Sequence, residues 1–163
     1  FSNGVEKIVV NSLTYTNPKV VEEAAKKYGS QSIVASIDVG KNMFGTQQLR
    51  SSGGRKKQKI TLLDHVKSLQ KIGVGEIMLN AIYNDGMMQG YDLELVSSIS
   101  NIVSIPLIAC GGAGSLDDMR EVVYSGKADA AAAGSLFVFN GPHRAVMINY
   151  PKRTELKSYF RPR

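Results

Sequence analysis

Five short, continuous apolar runs recur along the chain, at 7–11, 32–38, 76–82, 106–110 and 128–133, and stretches with apolar residues at helical spacing lie between them. Each run is bounded by Gly, Asn or Asp. A strand with one wet face alternates apolar and polar residues, whereas one covered on both faces does not, so the runs predict a parallel sheet. The intervening patterns predict helices. Pro18 opens one at its first turn, Val20, Val21, Ala24, Ala25 and Tyr28 share a face, and Gly29 stops it. Leu62, Leu63, Val66, Leu69 and Ile72 do the same before Gly73; Leu93, Leu95, Val96 and Ile99 follow; Leu116, Met119, Val122 and Val123 precede Gly126. Alternating strands and helices make βα units.

An internal echo narrows the topology. Residues 4–11 (GVEKIVVN) and 73–80 (GVGEIMLN) share Gly, Val, Ile and Asn in register, two βα units apart. A two-unit repeat points to a closed (βα)8 TIM barrel more than to an open doubly wound sheet. Such a barrel takes roughly 250 residues, and this chain has 163. The expectation is therefore that residues 1–163 are the C-terminal portion of one barrel domain, about strands four to eight, with strands one to three absent. The alternative is a complete small α/β domain with an open sheet.

With 43% hydrophobic residues the chain can build a core, and Cys110, its only cysteine, excludes an internal disulfide. That suits a reducing cytoplasm. No apolar run approaches a membrane span and no signal peptide opens the sequence. The net charge is +6, much of it in residues 55–59 (RKKQK) and in the tail 152–163. No nucleic-acid motif or interleaved aromatic residues accompany the basic run. A solvated loop, or attraction of a phosphorylated small molecule, explains it better than nucleic acid.

In a barrel, chemistry sits at the C-terminal ends of the strands. Those ends carry Asn11-Ser12, Asp38, Asn80 followed by Tyr83-Asn84-Asp85-Gly86, Cys110-Gly111-Gly112, and Gly134-Ser135. Gly111 to Gly114 either turns the backbone tightly or lets a ligand approach it. Ser115 is a plausible N-cap for the helix that follows, with Asp117 and Asp118 in its first turn. Paired with Gly134-Ser135 on the next strand, the glycines suggest a phosphate site built from backbone amides. Asp38 ends an apolar strand, before a Val39-Gly40-Lys41 segment read as flexible, and a partly buried carboxylate can trade a proton near neutral pH. Asp85 could act with it or simply shape a turn with Gly86. His65 and His143 lack metal-ligand spacing, and Cys110 reads as a packed residue rather than a nucleophile.

From Gly4 to about Arg144 these motifs resemble the HisF family, the cyclase subunit of imidazole glycerol phosphate synthase. The resemblance is carried by KIVVNS, NP, GSQSIVASID, GVGEIMLNAIYNDGMMQGYD, PLIACGGAG and ADAAAAGSLF, in that order. It implies a lyase that joins ammonia, released by a HisH-like glutaminase partner, to a bis-phosphorylated ribotide, with no cofactor and no metal. It implies that Asp38 and Asp85 are catalytic. Asn11 and Ser12 match one phosphate site, and Gly112, Gly134 and Ser135 the other, with Asn80, Gly86 and Gly111 beside the substrate. Lys7 and Glu76 match two members of a charged gate for ammonia, and both precede their strands, on the face opposite the chemistry.

Met87 and Cys110 depart from the family pattern, and the usual C-terminal helix gives way to GPHRAVMINYPKRTELKSYF. IYNDGMMQGYDL and HRAVMINYP are similar to HisF-like paralogues of surface-polysaccharide gene clusters, the WbuZ group. Those imply the alternative: an ammonia conduit and scaffold for amidation of a lipopolysaccharide or other surface sugar, without cyclase activity. The expected partners are the glutaminase and a phosphorylated small molecule, with neither nucleic acid nor membrane. Five strands taken alone would leave open edges, so self-association is expected, and little cyclase activity from the chain by itself.

Overall fold

The computed structural model describes residues 1–141 and 143–160; Pro142 and the last three residues of the basic tail lie outside it. In chain order it has β1 (Ile8–Val10), α1 (Ser12–Thr16), α2 (Pro18–Tyr28), a 3-10 turn (Ser30–Ser32), β2 (Ile33–Lys41), β3 (Gln47–Ser51), β4 (Lys56–Lys57), α3 (Leu62–Ile72), β5 (Glu76–Ala81) and α4 (Leu93–Ser100). Then come β6 (Leu107–Cys110), α5 (Leu116–Tyr124), β7 (Ala130–Ala132), α6 (Ser135–Val138), β8 (Phe139–Asn140), β9 (Ala145–Val146) and α7 (Arg153–Tyr159).

The parallel strands lie side by side in the order of the chain: β1 on β2, β2 on β5, β5 on β6, β6 on β7. An open doubly wound sheet reverses its order at a switch point. This sheet has none, and its sequential order is that of a (βα)8 barrel over five strands.

The two faces of the sheet differ. Ile33, Ala35, Ile37, Val39, Ile77, Leu79, Ala81, Leu107 and Ala109 are buried. They pack with Val21 and Ala25 of α2, Val66 and Leu69 of α3, Leu95, Val96 and Ile99 of α4, and Met119 and Val122 of α5. Each fully buried Ile or Leu there contributes about 1.5–3 kcal/mol. The opposite face holds Ser36, Asp38, Glu76, Met78, Asn80, Ile108, Cys110 and Ala132, all only partly covered, with Val9 and Ala130 exposed and Val34 and Gly40 buried. Among the described residues the core cluster that includes α2, α3, α4 and α5 takes the buried side chains of the first face and none of these.

Several expectations change at the surface. Val39, Gly40 and Lys41 are not a flexible segment: they extend β2, and Asp38 to Lys41 pair antiparallel with Gln47 to Arg50 of β3. The basic run is part of a hairpin, because Lys56 and Lys57 form β4 against β3. Val20, Tyr28 and Leu63 face solvent, while His65 is buried in the face expected of Leu63. A short α7 occupies the departing C-terminal segment, and Phe160 after it packs on the core. Ser115 does cap α5: its hydroxyl accepts from Asp118 N–H, and the Asp118 carboxylate accepts from Ser115 N–H, a reciprocal box that fixes the start of the helix.

Candidate active site

The open face ends in one row. Asp38 on β2 pairs in register with Asn80 on β5, Asn80 with Cys110 on β6, and Cys110 with Ala132 on β7. Adjacent parallel strands bring such neighbours to about 5 Å, so residues far apart in sequence share one mouth. Asn80 Nδ2 donates to Asp38 Oδ1 at 3.2 Å. Asn80 Oδ1 is buried and has no hydrogen-bond partner among the described residues. Unmet buried acceptors are uncommon and mark a place that a donor would fill.

Asp38 is held above the usual carboxylate range, first by burial, then by the charge of Asp85, with the Asn80 hydrogen bond pulling the other way. Burial also pushes the Cys110 thiol up, helped by Asp85 and Asp38. Asp85 therefore faces the same mouth from the loop after β5. It is exposed, and its N–H donates to Ala81 O at 3.1 Å, so it shapes the turn as well. Two carboxylates of unequal setting, one exposed and one half-buried, can divide the holding and the accepting of a proton.

The glycines after β6 answer to the neighbouring loop. A Cβ on Gly111 would lie 2.6 Å from Ala81 O, and one on Gly112 only 2.1 Å from Gly90 O. Both have positive φ, +89° and +116°. Gly112 O in turn accepts from Gly90 N–H at 2.9 Å. The close approach that demands glycine here is backbone against backbone. Gly134 differs: its φ is −110°, and a Cβ there would meet nothing within 4 Å. Neither strain nor crowding demands a glycine, and its absent side chain leaves open space at the start of α6. Ser135 follows it, and a Cβ on Gly86 would lie 3.6 Å from Ser135 Oγ, so the Asp85-Gly86 loop and the β7 end share the rim.

Asn11 and Ser12 stand at the other side of the mouth with their side chains engaged. Asn11 Nδ2 donates to Ser36 O at 3.1 Å, and Ser12 Oγ accepts from Ser52 N–H of the hairpin at 3.0 Å. At the far end of the sheet, Lys7 and Glu76 form an ion pair, with side chains 48% and 19% exposed. His65 belongs to no part of this mouth, and Cys110 lies in it.

Four rim groups, Lys41, Tyr83, Asp92 and Arg144, had no role assigned from the sequence. Lys41 at the end of β2 lies 3.4 Å from Asp92 Oδ2 and 4.0 Å from the Tyr83 ring centroid, and Tyr83 Oη donates to that same carboxylate. Arg144, in the turn between β8 and β9, donates to Gly86 O. Lys41 was legible only as part of a loop. Had β2 been read through to its true end, the alternation of Asp38 and Gly40 against Val39 and Lys41 would have placed it.

A family model described as "Histidine biosynthesis protein" matches residues 1–142. The chain is 46% identical over 155 residues to "Putative imidazole glycerol phosphate synthase subunit hisF3" of Vibrio vulnificus, covering 94% of this chain and 60% of that protein. It is 44% identical over 156 residues to the similarly named subunit hisF2 of Pseudomonas aeruginosa, covering 96% of this chain and 62% of that protein. "Imidazole glycerol phosphate synthase subunit HisF" of Alkaliphilus metalliredigens is 39% identical over 138 residues, covering 85% of this chain and 55% of that protein. The chain thus spans 55–62% of the length of these curated relatives.

Proposed function

This chain belongs to the histidine biosynthesis protein family, and we propose that it is the part of an imidazole glycerol phosphate synthase cyclase barrel that carries strands four to eight. The observation that carries this reading is the mouth row: a half-buried Asp38 with a raised pKa, bonded to Asn80 and facing Asp85, on the sheet face opposite the helix-packed core. In the proposed reaction ammonia from a glutaminase partner adds to a bis-phosphorylated ribotide, water is lost as the imidazole ring closes, and a C–N bond breaks to give imidazole glycerol phosphate and the aminoimidazole carboxamide ribotide. Asp38 then moves protons on and off the reacting nitrogen and sugar carbons, because its raised pKa brings its protonated form closer to neutral pH. Asp85 holds negative charge across the mouth. Gly112, Gly134 and Ser135 offer backbone N–H groups to one phosphate, with Gly134 leaving room for it, and Asn11 and Ser12 border the other. Lys7 and Glu76 sit at the opposite end of the sheet, where an ion pair could gate the entry of a small neutral molecule into the barrel.

The Cys110 thiol supports the alternative, an ammonia conduit for a sugar-amidating partner. It occupies the mouth row between Asn80 and Ala132, and a thiol is a weak hydrogen-bond donor. The two readings separate in one assay. The chain is completed with the N-terminal strands of the Vibrio vulnificus relative and supplied with ammonium salt and the ribotide. Cyclase turnover that Asp38→Asn abolishes is the expected result. Absence of turnover in a folded complex, with ammonia still delivered from a docked glutaminase, establishes the conduit instead.

A further inference from the structure

The basic hairpin touches the mouth through Ser52, whose N–H donates to Ser12, and its lysines border a second cleft. The cleft holds about 590 Å³ and lies on the helix side of the sheet, between α1, the segment after β4, and α3. Its rim carries Lys56, Lys57 and Lys59, all exposed, and no carboxylate lines it. Among the described residues none of these three lysines has an ion-pair partner. Its inner wall is Thr14, Tyr15 and His65. Thr14 Oγ1 and His65 Nε2 are 3.3 Å apart, and the Tyr15 and His65 rings stack with centroids 4.2 Å apart. Pro18, Ile60 and Ile72 add apolar surface.

Unpaired cations at the rim of an apolar, aromatic-walled cleft of this size match an anionic head on a planar or apolar body. We propose that this cleft is a second ligand site, separate from the mouth, for a nucleoside phosphate. The lysines take the phosphate, and the apolar wall takes the base. A phosphorylated sugar would leave that wall against polar hydroxyls, and a nucleic-acid strand would need a groove running beyond the cleft. The site reaches the mouth through α1, five residues long, which presents Ser12 at one end and Thr14 and Tyr15 to the cleft.

The test is titration of the 163-residue chain with AMP, followed by calorimetry and by NMR of the His65 ring and the Lys57 and Lys59 amides. Saturable binding that shifts those signals is expected. The triple variant Lys56→Gln, Lys57→Gln, Lys59→Gln should weaken it at least about tenfold, the loss of charge-assisted contacts, while Gly134→Asp at the mouth leaves it unchanged. These lysines are exposed, so the variant should keep its far-ultraviolet dichroism; Tyr15→Leu provides a second lesion from the opposite wall and should also weaken binding. The proposal is overturned by an absence of saturable binding at millimolar AMP. It is equally overturned by affinity that the triple variant leaves within about twofold, by loss of binding in Gly134→Asp, or by a DNA oligonucleotide that outcompetes AMP through the same lysines.

Discussion

Asp38 and His65 are both ionisable groups inside the fold, and burial acts on them with opposite consequences. His65 is 2% exposed and its pKa is lowered to about 4 by burial, against an ordinary value of 6.5. A base whose folded pKa is depressed contributes stability above its unfolded pKa and loses it as pH falls toward the folded one. Between about pH 6.5 and 4 the unfolded chain binds the proton that the folded chain refuses, and the difference amounts to about 3 kcal/mol. Urea unfolding at stepped pH should show this fall, and His65→Leu should remove that share of it. Thr14 would not be stranded, since its hydroxyl also donates to Asn11 O at 2.7 Å. An equal fall in both proteins would mean that His65 protonates in place. Asp38 is an acid with a raised pKa, so the fold loses stability as pH rises from the unfolded carboxylate range through the folded pKa. Asp38→Asn removes that charge and supplies an N–H to Asn80 Oδ1, the buried acceptor now without a partner. We expect a gain of up to about 1 kcal/mol at pH 7, seen as a higher urea midpoint. A lower midpoint would show that the carboxylate stabilises the fold.

Two glycines at neighbouring strand ends make opposite predictions for the loops that carry them. Gly112→Ala puts a methyl into Gly90 O at positive φ. Strain and overpacking together should cost about 3 kcal/mol or more, read as a lower melting temperature. Gly134→Ala meets open space at an ordinary φ and should leave the melt within about 0.5 kcal/mol. If Gly134 stays glycine to admit a phosphate, the same variant weakens phosphate binding at the mouth; unchanged phosphate affinity would refute that role. The residues also show what was legible in the sequence. Strands β1, β2, β5, β6 and β7 stood out as apolar runs, but the expectation that both faces are covered holds only in part: Ser36, Asp38, Glu76 and Asn80 stand on a face that is half-exposed in this chain. The β3–β4 hairpin did not stand out, since Gln47, Gln48, Arg50, Lys56 and Lys57 are held by backbone pairing on the rim and carry no apolar period. The same holds for β8 and β9 and for α7, whose residues are exposed or only partly covered. Spacing alone put Leu63 in the core, where the structure has it exposed and buries His65 instead, stacked on Tyr15; no local pattern announces an aromatic pair fifty positions apart in the chain. That Asp38 and Asp85 share one mouth was legible because barrel strands all end on one side, whereas the contacts of Lys41 and Arg144 required knowing where the loops fold back.

The whole molecule presents a sheet with one face covered and one not. On the uncovered face Val9 is 55% exposed and Ala130 is exposed, with Met78 and Ile108 only partly covered. Among the described residues β1 pairs only with β2 and β7 only with β6, so each leaves one edge unpaired. Unpaired N–H and C=O groups on parallel edge strands template further pairing, and half-exposed apolar residues such as Val9, Met78 and Ile108 favour burial against another surface. In an eight-stranded barrel both demands are met at once, because added strands pair the two edges and close the face inward. In a solution of this chain alone another copy is the available surface. We therefore expect the 163-residue chain to self-associate at micromolar concentration, with association through the sheet rather than through the helices. Multi-angle light scattering reads the mass, and two variants locate the contact. Val9→Lys places a charge on the exposed edge and face and should shift the protein toward monomer. Val20→Lys, on the outer surface of α2, should leave the mass unchanged. Adding the N-terminal strands of a relative in trans should compete with self-association, since they need the same edges. A monodisperse 17.7 kDa species with a cooperative melt would show that the open face is stable in water, and the reading of the sheet as five strands of a larger barrel would lose its physical motive.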